Sequence, residues 1–144
     1  MRIIPTNDVL LKYKIKNSNL CDFCNMNVET NKHLFWGCIH TQHFWTELCI
    51  FLQTKNMNLS FTYETISFGI IKFMQNPNTR VKNYIIMCAK YFIFLNKCRN
   101  TTPSMKYFKT YLNKQIDIEK QIAQEKDKLE SHNMKWSFLT NIMT

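Results

Sequence analysis

Three cysteines and a histidine lie at short intervals near one end of the chain, and their spacing constrains the local fold more than any other feature. Cys21, Cys24, His33 and Cys38 follow the pattern C-x2-C-x8-H-x4-C. A close cysteine pair fits on one turn, and the distant histidine and cysteine can close a tetrahedron of the ligand types that zinc prefers. Because four protein ligands fill the coordination shell, the pattern predicts one structural Zn²⁺. We expect the segment to depend on that ion for folding.

Other interpretations of these residues are possible. The cysteines and the histidine could be unconnected, and Cys21 with Cys24 could form a redox pair, although the βαβ pattern that surrounds such a pair is missing. Three further candidates for the fourth ligand lie close to Cys38 in the sequence: His40, His43 and Cys49. Cys49 shares an apolar helical stripe, so burial suits it better, as it does Cys88; Cys98 is expected to be inert.

The composition places the chain among folded proteins. Its 144 residues are 45% hydrophobic and 14% aromatic, too apolar for a disordered basic tail. Only two glycines and three prolines are present, which disfavours sandwiches, Rossmann units and phosphate-binding loops. The first thirty residues contain no uninterrupted apolar segment before a small-residue cleavage site, so we expect no secretory signal. The most apolar run, 84–95, is split by Lys90 and too short to cross a bilayer. We therefore expect an intracellular protein of the nucleus or cytoplasm, without membrane contact.

Helical periodicity dominates the chain. Apolar residues recur at three- and four-residue spacings after Pro5-Thr6, over 41–52 and over 79–97, and each pattern predicts a helix. A polar loop is predicted at 56–62, followed by a short apolar element at 66–74. Thr102-Pro103 is a good helix start, and it predicts a long C-terminal helix, or two with a break near 131–133. The predicted fold is mainly α: a small zinc-knuckle module with flanking helices at 1–55, followed by a basic helical bundle at 56–144.

The positive charge is confined to one stretch. The chain has a net charge of +9, and residues 66–116 hold nine cations and no acid, whereas the flanking regions are close to neutral. Cations interleaved with aromatic residues are typical of binding to nucleic acid, because phosphates attract the cations and bases stack on the rings. Six of these cations are the candidate nucleic-acid contacts: Lys82, Lys90, Lys97, Arg99, Lys106 and Lys109. The alternative is that the aromatic residues form a helical core and that the lysines snorkel from its rim.

The metal-binding pattern resembles a known family, the zinc-binding domain at the C-terminal end of reverse transcriptases from LINE-type (non-LTR) retrotransposons. The resemblance is carried by Leu11-Lys12 through Ile15, Cys21-Asp22-Phe23-Cys24, Glu29-Thr30, His33-Leu34-Phe35, Cys38 and Trp45. A looser similarity covers the rest of the chain, at Phe68-Gly69, residues 89–93, Pro103-Ser104, Glu119-Lys120 and residues 132–137. The resemblance implies that Cys21, Cys24, His33 and Cys38 are the zinc ligands.

It also implies a piece of a larger polyprotein whose polymerase and endonuclease lie upstream, and a role in gripping template RNA or target DNA. No Asp-Asp pair typical of a polymerase active site occurs, so we expect no catalysis by this chain alone and no small-molecule substrate. The alternative function is a structural or interaction module. In it, the stripe of Ile118, Ile122 and Leu129 would pack against the polymerase portion or a second copy. A hydrolytic zinc enzyme is disfavoured, because it would need an open coordination position and a nearby acidic base.

Overall fold

A computed structural model describes residues 5–70 and 77–137 of the chain. The elements are α1 (Asn7–Lys12), a π-helical turn (His33–Gly37), α2 (Ile39–Thr54), α3 (Tyr63–Phe68), α4 (Pro77–Cys98), α5 (Met105–Glu125) and α6 (Leu129–Trp136). Within these two ranges there is no extended strand, and the single β-bridge joins Leu20 to Val28. The prediction of a mainly α fold with a small knuckle near its N-terminus is confirmed. The division at residue 55 remains a prediction.

Aromatic side chains from three helices form the centre of the core. Phe44 of α2 lies with its ring centroid 5.7 Å from that of Phe92 of α4 and 5.3 Å from that of Phe108 of α5. Phe92 and Phe108 also contact each other, at 5.3 Å. Two of the aromatic residues in the basic stretch therefore belong to the core, as the alternative interpretation of that stretch proposed, while Tyr91 and Tyr107 remain exposed.

The short helix α3 is attached to α4 through a side-chain amide. Thr62 caps α3, and Gly69 ends it with a φ of +77°, a conformation that favours glycine. Asn83 of α4 then accepts a hydrogen bond from the backbone N–H of Ile70, at 2.6 Å, and donates to its carbonyl oxygen, at 3.1 Å. The predicted element at 66–74 is thus partly this helix, and its residues 71–74 lie outside the described ranges.

The C-terminal part forms a helical hairpin whose details differ from the prediction. The long helix α5 is confirmed, but its N-cap is Ser104 rather than Thr102. The break that separates α5 from α6 lies at residues 126–128, where Asp127 has a φ of +55°, so its predicted position near 131–133 was wrong. No glycine or proline marks this break. It is stabilised by packing: Trp136 returns to Tyr84 of α4, with ring centroids 5.3 Å apart.

No helix within residues 5–70 and 77–137 combines the length and the hydropathy needed to cross a bilayer.

Candidate metal centre

The four residues of the cysteine and histidine pattern come together in space. The candidate ligand atoms of Cys21, Cys24, His33 and Cys38 all lie within 4.8 Å of one another. The Sγ atoms of Cys21 and Cys38 are 3.9 Å apart, and Sγ of Cys24 is 3.4 Å from Nε2 of His33. Tetrahedral zinc with ordinary Zn–S and Zn–N bonds separates its ligands by about 3.5–3.8 Å. The cluster therefore has the size and the donor set that fit a tetrahedral metal ion.

A tight turn presents the first two cysteines. Its backbone is closed by hydrogen bonds from the N–H of Cys21 to the carbonyl of Asn27 and from the N–H of Asn25 to the carbonyl of Cys21, each 2.9 Å. Asn25 has a φ of +55°, the left-handed conformation that asparagine tolerates better than most residues. The N–H of Phe23 points at Sγ of Cys21, 3.4 Å away. This is the arrangement by which a backbone stabilises a metal-bound thiolate.

The π-helical turn places the other two ligands. Thr30 accepts a hydrogen bond from the N–H of His33 at 3.0 Å, and the N–H of Cys38 reaches back to the carbonyl of His33 at 2.7 Å. Side chains from α2 satisfy the carbonyl groups inside the turn. The hydroxyl of Thr41 donates to the carbonyl of Leu34 at 2.7 Å, and the indole N–H of Trp45 donates to the carbonyl of Phe35 at 2.8 Å. The spacing between His33 and Cys38 is thus held by α2.

The pKa values of the two buried cysteines are shifted in opposite directions. The hydrogen bond from the Cys21 thiol lowers the pKa of Cys38 to about 7, and the backbone N–H groups of His40 and Thr41 add to this against the effect of burial. The same hydrogen bond, together with burial, raises the pKa of the Cys21 thiol. Cys38 stands at the N-cap of α2, where the helix dipole also favours a thiolate.

The three alternative fourth ligands lie elsewhere. His40 is exposed, and Nε2 of His43 is 2.8 Å from a carboxylate oxygen of Glu47. The thiol of Cys49 donates to the carbonyl of Leu59 at 3.2 Å. Among the described residues the metal-binding geometry includes Cys38 and none of these three. Cys88 is buried and Cys98 is exposed.

Behind the metal cluster, a buried ionic network joins the knuckle to α4. Nζ of Lys97 lies 2.6 Å from a carboxylate oxygen of Asp22 and 2.6 Å from one of Glu29, and its side chain is only 5% exposed. Glu29 also accepts hydrogen bonds from the backbone N–H groups of Asn7 and Asp22, both at 2.9 Å. The side-chain oxygen of Asn7 accepts from Lys97 at 3.0 Å. Lys97 was predicted to contact nucleic acid; its ammonium group is instead buried and paired with these two carboxylates.

The charges in this network determine one another's protonation. Burial by itself would raise the pKa of Asp22, but the hydrogen bonds from Lys97 and Asn7 outweigh it, so the pKa lies below its ordinary value. Burial would lower the pKa of Lys97, but its hydrogen bonds to Asp22 and Glu29 raise it above its ordinary value. Both groups are therefore charged near neutral pH. Sequence reasoning missed Asn7 and the structural role of Lys97; the only signal was the Glu29-Thr30 pair of the resemblance.

The other five candidate nucleic-acid contacts lie on α4, on α5 and in the loop between them. Arg99 and Lys106 are exposed, whereas Lys82, Lys90 and Lys109 are partly buried. Burial lowers the pKa of Lys90. Nζ of Lys109 lies 4.7 Å from the ring centroid of Phe51, a cation–π contact between α5 and α2.

Comparison with known families agrees with this geometry. A family model described as zinc-binding in reverse transcriptase matches residues 1–45, a range that contains all four clustered ligands. Residues 1–45 are thus similar to the zinc-binding domain of reverse transcriptases. No curated protein matches the chain, and no solved structure does either.

The structure shows what the residues around the four ligands do. Glu29 ties the knuckle backbone to Lys97, and Thr30 fixes the start of the turn that carries His33. Leu34 and Phe35 are buried, and their carbonyl groups are satisfied from α2. Within the zinc-binding domain, the residues around the ligands hold the ligands in position.

Proposed function

We propose that this chain is a zinc-stabilised nucleic-acid-binding module. In this proposal it is the C-terminal end of a LINE-type (non-LTR) retrotransposon reverse transcriptase. It grips template RNA or target DNA in the nucleus or cytoplasm, and it has no catalytic activity of its own. One observation carries the proposal: the stretch with nine cations and no acid follows a reverse-transcriptase zinc-binding domain in the same chain. Phosphate neutralisation by such cations supplies most of the affinity of nucleic-acid binding proteins.

The metal and the cations have separate roles in this proposal. Three thiolates and a neutral histidine around Zn²⁺ carry a net charge of −1, so the metal centre does not itself attract phosphate. With four protein ligands it has no open position for a substrate or a reactive water. Phosphate contact is therefore assigned to residues outside the knuckle. Lys97 is excluded because it is paired with Asp22 and Glu29, which leaves Lys82, Lys90, Arg99, Lys106 and Lys109.

Salt dependence tests this assignment. Replacing Lys106 and Lys109 with Gln should weaken RNA binding and reduce the slope of log affinity against log salt by about one for each lysine removed. The matched control replaces Lys120 and Lys126, which are exposed but lie outside the basic stretch, and should leave the slope unchanged. Binding that does not respond to salt, or an equal loss in the control protein, would contradict the proposal. The same titration with single-stranded DNA and duplex DNA measures the preference for RNA or DNA.

An exposed apolar surface favours the second candidate, a protein-interaction module. Ile118 is 43% and Ile122 47% exposed, and their four-residue spacing places them on one face of α5. If this surface packs against the polymerase portion or a second copy, replacing Ile118 and Ile122 with Glu should abolish that association without lowering RNA affinity. Co-purification with the polymerase portion, by a chain that binds no nucleic acid, would favour this candidate over the first.

A further inference from the structure

A cleft with aromatic walls opens beside the metal centre. It has a volume of about 430 Å³ and lies between the π-helical turn, α2 and the loop after α2. Trp36, Trp45 and Phe61 provide its aromatic surface, and the rings of Trp45 and Phe61 are 4.8 Å apart. The indole N–H of Trp45 is bound to the carbonyl of Phe35, which fixes the orientation of that ring. Trp36 lies within the turn that joins His33 to Cys38, so metal binding and the shape of the cleft are linked.

The lining of the cleft specifies the kind of ligand. No carboxylate or ammonium group is among its lining residues, so it does not select a charged group. Its polar groups are the amides of Gln42 and Gln53 and the hydroxyls of Thr46 and Ser60, which can both donate and accept hydrogen bonds. A flat, uncharged, aromatic ring with donors and acceptors at its edge matches these features, and a nucleobase is such a ring.

Positive charge lies directly next to this cleft. A second cleft, of about 510 Å³, shares Ile50 with the first and is lined by Phe51, Lys55 and Lys109 among others. Glu47 also lines the second cleft, and its carboxylate lies 2.8 Å from Nε2 of His43. Lys109 is one of the cations predicted from the sequence. A strand with a base in the first cleft would therefore place its neighbouring phosphates beside Lys55 and Lys109.

We propose that the first cleft, here named the tryptophan cleft, binds an unpaired base of single-stranded RNA or DNA, stacked on Trp36. This inference rests on the proposed nucleic-acid binding and adds its substrate class. A base within a duplex is stacked between its neighbours and cannot enter such a cleft without leaving the helix. The tryptophan cleft thus selects single strands, while the lysines bind phosphate without regard to strandedness.

Substitution of the stacking residue tests the inference. Trp36→Leu keeps an apolar side chain and removes the stacking surface, so it should weaken binding of single-stranded oligonucleotides about tenfold. Duplex binding and the salt slope should not change. The matched control is Tyr107→Leu, an exposed aromatic residue outside the cleft, which should retain full affinity. Gln42→Ala, at the rim, provides a second variant that leaves the aromatic core intact. Retained zinc content shows that each variant is folded.

An oligonucleotide with abasic sites distinguishes binding through the base from binding through the phosphates. In a Trp136→Phe background, where only the two cleft tryptophans fluoresce, a single-stranded oligonucleotide should quench their emission. An abasic oligomer of equal length should bind more weakly and quench little. Equal affinity for both oligomers, or equal losses in Trp36→Leu and Tyr107→Leu, would overturn the inference while leaving the nucleic-acid proposal intact. A chain that binds no oligonucleotide at all would overturn both. Parallel titrations with RNA and DNA of the same base sequence identify which strand is preferred.

Discussion

The knuckle and the helical region hold their structures by different means. Between Leu20 and Cys38, the chain is ordered by one isolated β-bridge, a few turns and a cluster of four metal-ligand side chains. The helical region is ordered by apolar packing, with Phe44, Phe92 and Phe108 in mutual contact at its centre. Phe23, Leu34 and Phe35 of the first region are buried as well, but they pack into the core that the helices form, so we expect the turns around the ligands to depend on the metal ion. The metal ion is therefore expected to supply the order that the short turns between the ligands lack.

The junction between the two regions shows what a single buried cation can do. Lys97 comes from the middle of the most basic part of the chain, but it neutralises Asp22 and Glu29 of the knuckle. Its positive charge is used inside the molecule, whereas Lys106 on the next helix is exposed to solvent. Position in the sequence gave the two lysines the same predicted role. Their surroundings in the fold separate them.

The largest expected effect comes from removing one metal ligand. Cys38→Ser should reduce the zinc content from one ion to none and unfold the knuckle, because the remaining three ligands leave the shell incomplete and only one isolated β-bridge and a few turns order the backbone around them. The measurement is zinc stoichiometry by atomic absorption, combined with circular dichroism. Cys98→Ser, at an exposed cysteine outside the cluster, is the control and should bind one zinc. If Cys38→Ser still bound one zinc ion, the assignment of the cluster as the metal site would be wrong.

A substitution in the aromatic core should destabilise the helical region. Phe108→Ala creates a cavity where the ring packed on Phe44 and Phe92, and it should lower the free energy of unfolding by about 3–5 kcal/mol. Denaturant unfolding measures this, and Tyr107→Ala, at an exposed neighbour, should change it by less than about 0.5 kcal/mol. A small loss in Phe108→Ala would mean that the packing of α2, α4 and α5 is not what holds the helices together.

The ionic junction between the knuckle and α4 is tested by replacing Lys97 with an uncharged residue. Lys97→Met removes the cation paired with the fully buried Glu29 and one of the two cations paired with Asp22, the other being Lys16, and should cost roughly 3 kcal/mol. The control Lys106→Met should have little effect on stability, because that side chain is exposed. If Lys97→Met proved as stable as the parent protein but bound RNA more weakly, Lys97 would be a nucleic-acid contact after all.

The smallest effect concerns the π-helical turn. Thr41→Val keeps the shape of the side chain but loses its hydrogen bond to the carbonyl of Leu34, and should lower the free energy of unfolding by about 1 kcal/mol. Because that turn sets the distance between His33 and Cys38, zinc affinity should fall as well. Thr46→Val, an exposed position on the same helix, is the control and should leave zinc affinity unchanged. Unchanged zinc affinity in Thr41→Val would show that α2 does not hold the turn.

The sequence predicted those parts of the molecule that depend on local pattern. The ligand spacing identified the four clustered residues, and apolar periodicity identified the helices that contain Phe44, Phe92 and Phe108. The break at Asp127 was misplaced because no glycine or proline marks it, and because the return of Trp136 to Tyr84 is a contact between distant residues. The role of Lys97 was also beyond sequence reasoning, since its partners lie 75 and 68 positions away.

Amide hydrogen exchange on the full chain, with zinc bound and after chelation, tests the central contrast most directly. The account predicts that chelation removes protection from the amides of residues 20–38, while the central amides of α4 and α5 around Phe92 and Phe108 keep theirs. Two results would contradict it. If the knuckle amides stayed protected without zinc, the metal ion would not be what orders the knuckle. If α4 and α5 lost protection together with the knuckle, the two regions would form one metal-dependent unit.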